Sequence, residues 1–309
     1  MKSILKTTIM VYSFSLVALF NLFAGESKLV AHWSFDSTSK DTYFDATGNG
    51  FDAFSPGLSV EKGVVGNALR CPGNGYKLMI ANSKTAFFLP KFTIEAFFKS
   101  DSPIFNDVKI FNFQNIQTGV RNGYTLYIKK STGSPCVSIS DATGNNWMDA
   151  DAKTKIEPHM WYHLVATFDG HLLKIYVNGK LEGSLNHEGN YLPPQADAQI
   201  ACSRLRNGEV KNHLDGLIDE VKLYNYSLSE ETILSHYNEM TLPEEKRLVA
   251  HWSFDSTSKN TYFDVTGNGF DAFSPGLSLE KGVIGNALRC PGNGYKLMVG
   301  IAPKKWTRD

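Results

Sequence analysis

The chain has 309 residues, of which 31 are basic and 31 are acidic, so its formal net charge at pH 7 is zero. No long run of one sign occurs, and this argues against nucleic acid as a partner, because affinity for nucleic acid grows with clustered Lys and Arg. Aromatic residues make up 12% of the chain and its 26 glycines recur at short intervals, a composition typical of a large all-β domain.

The N-terminus has the pattern of an export signal. Two lysines precede an apolar stretch from Ile9 to Phe23, and small residues follow it. This stretch falls short of the roughly 20 apolar residues that a membrane-spanning helix needs. We therefore predict a signal peptide at residues 1–27, cleaved between Gly25 and Lys28, and a secreted, cell-surface or periplasmic protein. An uncleaved membrane anchor is the alternative.

An internal repeat defines the domain organisation. Residues 29–80 recur at 248–299 with 47 of 52 residues identical, and the five differences are small exchanges. We predict one whole module at 28–241 and a truncated second copy of it at 248–309. Residues 242–247 are polar and begin with Leu-Pro, which is typical of a linker.

The cysteines do not indicate a disulfide framework. The first module has an odd number of them, Cys71, Cys136 and Cys202, and their spacings match no zinc pattern. Cys71 lies in an apolar run, so we predict a buried free thiol. A bridge between Cys136 and Cys202 stays open in an exported protein.

Alternation of apolar and polar residues predicts antiparallel strands through most of residues 28–226. Asn178-Gly179 lies between two alternating segments and predicts a type I′ hairpin, because that turn needs positive φ at both central residues. One helix is predicted, from about Glu230 to Glu239. Ser229 is its N-cap, and acidic residues lie in its first turn.

These elements predict an all-β, two-sheet antiparallel sandwich with one short C-terminal helix. We expect the first and last strands to lie side by side, which pairs residues 29–35 with 216–224. The copy at 248–299 would have early strands without that closing partner. We therefore expect this copy to be disordered, to dock on the first module's edge or to swap with another molecule, and to be released readily by proteolysis.

Seven segments in the correct order resemble the signature segments of laminin-G-like jelly-roll modules, which belong to the concanavalin-A-like lectin/glucanase superfamily. They are LVAHWSFD, DATGNGFDA, GVVGNALRC, FTIEAFF, WYHLVATFDG, LLKIYVNGK and LDGLIDEVKLYNYSLSEE, and together they cover residues 29–239. The resemblance implies a jelly-roll sandwich in an exported protein that binds carbohydrates, other proteins or surfaces, often with one calcium ion. Cys71 departs from the family by replacing its usual aromatic residue, and Cys202 by replacing a frequent glycine.

The segment DATGNG, which begins at Asp45, has the residues of a calcium-binding loop. It offers side-chain oxygens at every second residue, but it lacks the closing Glu of an EF-hand. The expected strand pairing brings Asp36 and Asp219 near it, and similar modules place calcium near these positions. We predict a structural Ca²⁺ ion held by Asp36, Asp45, Asn49 and Asp219. The alternative is that Asp45 and Asn49 are ordinary turn residues and that Asp219 accepts backbone amides.

The sequence lacks the carboxylate pattern of the superfamily's glucanases. Their Glu-x-Asp-x-(x)-Glu spacing does not occur, Asp219 and Glu220 are adjacent and should point to opposite faces, and Glu95 has no acidic neighbour on its strand. We therefore predict that the protein is not an enzyme.

A non-catalytic module of this kind is expected to bind a ligand on an exposed aromatic plate with polar neighbours. The candidate ligand-binding residues are Tyr124, Asn145 and Trp147, which we place in loops. The predicted partner is a glycan. The alternative is a protein or cell-surface adhesion module in a tandem array that gains strength through avidity. No membrane span is expected after cleavage of the signal peptide.

Overall fold

The computed structural model describes residues 28–114, 120–187, 189–205, 207–242, 251–255, 257–258, 260–264, 270–282, 285–290 and 297–299. The chain divides into two compact units, with the boundary after Asn238. The predicted signal peptide at 1–27 and all but the first residue of the predicted linker at 242–247 lie outside the described residues. Within the described ranges, no helix has both the length and the apolar character needed to cross a membrane.

The first unit consists mainly of strands. In chain order they are β1 (Leu29–Trp33), β2 (Thr38–Ser39), β3 (Thr42–Tyr43), β4 (Ala53–Phe54), β5 (Ser59–Lys62), β6 (Asn67–Pro72), β7 (Met79–Ile80), β8 (Phe92–Ser100), β9 (Val108–Phe113), β10 (Tyr124–Lys129), β11 (Ser134–Ser140), β12 (Trp147–Asp151), β13 (Trp161–Phe168), β14 (Leu172–Val177), β15 (Lys180–Asn186), β16 (Gln199–Ile200), β17 (Ser203–Arg204), β18 (Val210–Lys211) and β19 (Asp215–Tyr224). The helices are α1 (Ser83–Ala86), which was not predicted, and α2 (Glu230–Thr241).

Two large antiparallel sheets carry these strands. The eight-stranded sheet has the order β15-β14-β13-β8-β19-β6-β5, with β1 paired to β19, and the nine-stranded sheet has the order β12-β11-β10-β9-β16-β7-β4-β3-β2. Their inner faces share one core, which includes Trp33, Phe92, Phe98 and Phe111. The predicted all-β, two-sheet antiparallel sandwich is confirmed.

The first and last strands of this unit pair as predicted. Leu29 lies opposite Tyr224, and Trp33 lies opposite Val221. A bulge in β19, where Glu220 has a φ of 50°, shifts the alternation of side chains. Strict alternation in GLIDEVKLY predicts that Val221 shares a face with Leu217. This prediction is wrong, because after the bulge Val221 belongs to the core together with Ile218.

The local signals of the hairpin and the helix are also confirmed. Asn178 and Gly179 have φ values of 49° and 76°, and they join β14 directly to β15. The Ser229 hydroxyl accepts the amide of Thr232 at 3.1 Å, which is the predicted N-cap. Helix α2 covers an apolar patch on the outward face of the eight-stranded sheet, where its Ile233 is fully buried.

The cysteines of the first unit are free and buried. Cys71 is fully buried, as predicted. Cys202 lies in the core between the sheets, whereas Cys136 alternates with the core residue Val137 on β11 and points outward. A bridge between Cys136 and Cys202 is therefore not formed.

The described part of the second unit repeats the strand pairing of the sequence that it copies. Its strands are β20 (Thr257–Ser258), β21 (Thr261–Tyr262), β22 (Ala272–Phe273), β23 (Ser278–Lys281), β24 (Asn286–Arg289) and β25 (Met298–Val299). Thr257 lies opposite Tyr262, as Thr38 lies opposite Tyr43. The strand β25 is exposed, whereas the corresponding strand β7 of the first unit is partly buried. The reason is that β7 also pairs with β16, whereas in the described part of the second unit β25 pairs with β22 alone. That this copy docks or swaps stays a prediction.

Candidate functional site

The loop that begins at Asp45 is held by its own hydrogen bonds. Asp45 Oδ1 accepts the amide of His32 at 3.0 Å and the hydroxyl of Thr47 at 2.7 Å, and Oδ2 accepts the amide of Phe51 at 3.3 Å. Asn49 Nδ2 donates to a backbone carbonyl of β1 at 2.9 Å. Both predicted calcium ligands in this loop therefore have the contacts of turn residues.

The other two predicted ligands meet at a different turn, residues 63–67. Asp219 is fully buried, and its Oδ2 accepts the amides of Val64 at 2.8 Å and Val65 at 3.1 Å. The exposed Asp36 accepts the amide of Asn67 at 2.7 Å through Oδ1. The turn has glycines at the two positions where a Cβ atom would overlap these carboxylates, a signal that the sequence analysis did not use.

These four side chains do not form one cation site. Asp36 and Asp219 share the turn at 63–67, whereas Asp45 holds its own loop, and the oxygens described here accept amide or hydroxyl protons. Burial, and then the neighbouring Glu220, raise the pKa of Asp219 well above its ordinary value. Within the described ranges, no group of three or more His, Cys, Asp or Glu residues is arranged to hold a metal. The hydrogen bonds of these carboxylates do not fit a calcium ion held by all four side chains. Calcium binding therefore stays a prediction from the sequence.

The predicted ligand-binding residues separate in the structure. Asn145 lies in an exposed loop, where its amide donates to Asp141 Oδ1 at 3.0 Å, and the half-buried Trp147 begins β12 at the end of this loop. Tyr124 is fully buried on β10, with its ring stacked on Phe92 at 4.1 Å between centroids. The prediction that Tyr124 is a loop residue available to a ligand is wrong, because the strand begins at this tyrosine and its ring completes the core.

The outward face of the nine-stranded sheet carries a row of side chains that sequence analysis missed. Core residues alternate with outward ones along these strands, so directly opposed residues share the face away from the core. We call the following residues the polar face. One row runs across seven strands as Asp149, Ser138, Thr125, Asn112, Gln199, Met79 and Phe54, and the next row has Asp151, Cys136, Tyr127 and Lys109.

Hydrogen bonds fix the polar side chains of the first row. Ser138 Oγ donates to Asp149 Oδ1 at 2.6 Å, and Asn112 Nδ2 donates to Gln199 Oε1 at 2.6 Å. Asn112 is fully buried, and its Oδ1 atom has no hydrogen-bond partner in the described structure. A buried acceptor without a donor is uncommon in folded proteins and requires an explanation.

The second row contains a buried lysine, Lys109, that has no acidic partner within ion-pair distance among the described residues. Lys109 is only 6% exposed, and its Nζ lies 4.1 Å from the centroid of the Tyr127 ring. Burial lowers the pKa of Lys109 to about 8. Lys129, by contrast, forms ion pairs with Asp149 at 3.1 Å and with Asp151. No ion pair of Lys109 occurs among the described residues.

A buried ionic cluster lies on the opposite side of the molecule, between the eight-stranded sheet and α2. His163 and His236 contact the carboxylate of Glu95 at 2.8 and 3.1 Å, and the hydroxyl of Tyr224 donates to it at 3.1 Å. Burial raises the pKa of Glu95, but the two histidines and the nearby Lys222 outweigh this effect and hold it well below its ordinary value. Glu95 is 1% exposed, so this cluster fastens the helix to the sheet rather than facing a ligand.

Comparison with known proteins supports the fold. A laminin G family model, described as the concanavalin A-like lectin/glucanases superfamily, matches residues 73–234. The structure is similar to domain 4 of AbnA, a GH43 extracellular arabinanase from Geobacillus stearothermophilus, in complex with arabinotriose, with 18% identity and a TM-score of 0.52 over 68% of this chain and 98% of that one.

It is also similar to the binding domain of Paraclostridial Mosquitocidal Protein 1, with 14% identity and a TM-score of 0.53 over 82% of this chain and 65% of that one. No curated protein sequence matches the chain. At these identities, the two solved structures establish a shared fold.

Proposed function

Because the chain belongs to the concanavalin A-like lectin/glucanases superfamily, as its sequence segments predicted, we propose that it is an exported, non-catalytic carbohydrate-binding module. Its binding surface in this proposal is the polar face of the nine-stranded sheet. Sugar binding at the polar face is proposed independently of the predicted calcium ion.

The observation that carries this proposal is the cross-strand row centred on Asn112. Sugars present hydroxyl groups that both donate and accept hydrogen bonds, and a binding site needs polar groups that are already held in place. Asn112 and Gln199 are fixed by each other, and the free Oδ1 atom of Asn112 still needs a donor. A sugar hydroxyl supplies that donor, which removes the cost of a buried acceptor without a partner.

Apolar side chains at the two sides of the sheet complete the surface. Trp147 lies opposite Ser140 at the β12 edge and is half-buried, and Phe54 on β4 is 51% exposed. Aromatic rings stack on the apolar faces of sugar rings while polar groups bind the hydroxyls. The complex of the arabinanase domain with arabinotriose supports a sugar as the ligand of a chain with the same fold.

A glycan array with a double variant tests this proposal. Asn112→Leu with Gln199→Met removes both partners of this hydrogen bond and approximately keeps the shape of the first side chain and the length of the second. Gln199 also donates to the Asp197 carbonyl, so a small loss of stability is expected. We expect the double variant to stay folded and to lose at least about tenfold in glycan affinity, which corresponds to about 1.4 kcal/mol. Unchanged binding in the double variant, with loss in Trp147→Ala alone, would instead place the site on the loop that contains Asn145.

Protein or cell-surface adhesion is the second candidate, and the observation that favours it is the repeat. Residues 29–80 and 248–299 share 47 of 52 residues, and tandem copies strengthen weak surface contacts through avidity. Adhesion predicts binding to cells or extracellular proteins that depends on copy number and is insensitive to the Asn112→Leu/Gln199→Met exchange.

A further inference from the structure

Lys109 is an unusual residue for its position. Lysine is rarely buried unless it is paired, because moving an ammonium group out of water is costly. The same protein shows the ordinary solution at Lys222, which is 8% exposed and forms an ion pair with Glu220 at 2.7 Å. Lys109 is 6% exposed, its ammonium group lies over the Tyr127 ring, and it forms no ion pair among the described residues. The buried ammonium group of Lys109 therefore lacks the anionic partner that would offset its desolvation.

The surrounding residues do not supply that anion. The attraction between a cation and an aromatic ring is weak and offsets only part of the cost of removing the ammonium group from water. Asp107 and, more weakly, Asp149 act on Lys109 by their charge, but neither forms an ion pair with it. Asp107 accepts the amide of Lys130 at 2.9 Å, and Asp149 pairs with Lys129 and accepts the Ser138 hydroxyl. The ammonium group of Lys109 thus remains available to an incoming ligand.

Lys109 and Asn112 are neighbours on the polar face. Lys109 lies opposite Tyr127 and Asn112 lies opposite Thr125, and these two partners are successive outward residues of β10. Successive outward residues on a strand are about 7 Å apart. One sugar ring spans such a distance when it contacts a residue at each end. One contact requires a negative charge, and the other requires a hydroxyl donor.

We propose that the polar face recognises an acidic sugar, with the carboxylate of the sugar bound to Lys109 and a hydroxyl of the same ring donating to Asn112 Oδ1. This inference rests on the proposed carbohydrate-binding function and names its ligand class. A neutral sugar would satisfy Asn112 but would leave the Lys109 ammonium without an anion. Uronic acids and sialic acids share the required chemistry, a carboxylate and hydroxyl groups on one ring.

Calorimetric titration of the full chain with matched pairs of probes tests the inference. One pair is an oligogalacturonide and its carboxyl-reduced counterpart, and the other is sialyllactose and lactose. We expect at least one acidic probe to bind tenfold or more tightly than its neutral counterpart, and the pair that shows the preference identifies the source of the carboxylate. Lys109→Met should abolish the preference, whereas Lys109→Arg should keep it.

Lys130→Met is the matched control, because Lys130 is exposed just beyond β10 and its removal changes the net charge equally. It should leave the preference unchanged. Equal affinity for acidic and neutral probes, or equal loss in the Lys109→Met and Lys130→Met variants, would overturn the inference and leave the carbohydrate-binding proposal intact. Failure of the wild-type chain to bind any glycan would overturn both.

Discussion

Asp219 and Asp36 hold the same turn, and we predict that their removal has very different effects on stability. Asp219 is fully buried and accepts the amides of Val64, Val65 and Glu220 at 2.8, 3.1 and 2.8 Å. Asp36 is exposed and accepts one amide of the turn, at 2.7 Å. After Asp219→Ala, the amides of this half-buried turn lose an acceptor that lies at a fully buried position, where water replaces it poorly. After Asp36→Ala, water replaces the carboxylate.

The expected size of the effect follows from these contacts. A fully buried amide left without a partner costs about 1–3 kcal/mol, so the two amides of the half-buried turn together account for at most about 2–6 kcal/mol. Removing the buried carboxylate beside Glu220 relieves a charge repulsion, which places the expected loss in the lower part of this range, about 2–4 kcal/mol. Loss of the exposed hydrogen bond in Asp36→Ala should cost about 0.5–1 kcal/mol.

Equilibrium urea unfolding of both variants measures these losses, and hydrogen exchange at Val64 and Val65 reports on the turn itself. Exchange at these two amides should accelerate strongly in Asp219→Ala and only slightly in Asp36→Ala. Equal destabilisation by the two substitutions would refute the reasoning, because burial would then not decide the cost.

Three further predictions concern pH, calcium and thiols. The folded pKa of Glu95 lies below its unfolded value, so its contribution to stability is complete above the unfolded pKa and is lost as the pH falls through the folded pKa. Glu95→Gln should therefore cost about 3–5 kcal/mol of unfolding free energy at pH 7. In calorimetric melts the difference in stability from wild type should narrow below about pH 4, and a difference that does not change with pH would contradict this. Excess EDTA should leave the melting temperature unchanged, because the carboxylates of Asp36, Asp45 and Asp219 already accept hydrogen bonds from amide and hydroxyl groups. A fall in melting temperature that added calcium reverses in the wild type but not in Asp45→Ala would establish the predicted calcium site instead. Cys290 is exposed and should react at once with a thiol reagent, whereas burial protects Cys71 and raises its pKa to about 12; rapid labelling of Cys71 in the folded chain would show that this burial is wrong.

Local and periodic signals in the sequence were sufficient for the architecture. The hairpin at Asn178-Gly179 and the cap at Ser229 depend on a few adjacent residues, and both are present. Alternation predicted a strand in the segment FTIEAFF, and its alternating residues Phe92 and Ile94 both belong to the core. The pairing of β1 with β19 followed from the expected topology of such sandwiches, and it is also present.

The site could not be derived in the same way, because it depends on the register between strands that are remote in sequence. Asn112 and Gln199 are 87 residues apart and meet only because β9 pairs with β16. The bulge at Glu220 has no signal in the local sequence, so alternation misplaced the residues around it. Oxygen-bearing residues at the spacing seen from Asp45 are equally typical of a self-bonded turn, which is the arrangement observed.

The side-chain amide signals of Asn112 and Gln199 test the central claim most directly. In an ¹⁵N-labelled chain titrated with a glycan that it binds, these two amides and the backbone amide of Tyr127 should show the largest changes in chemical shift. Changes confined to Asn145 and Trp147, with Asn112 and Gln199 unaffected, would contradict the assignment of sugar binding to the polar face.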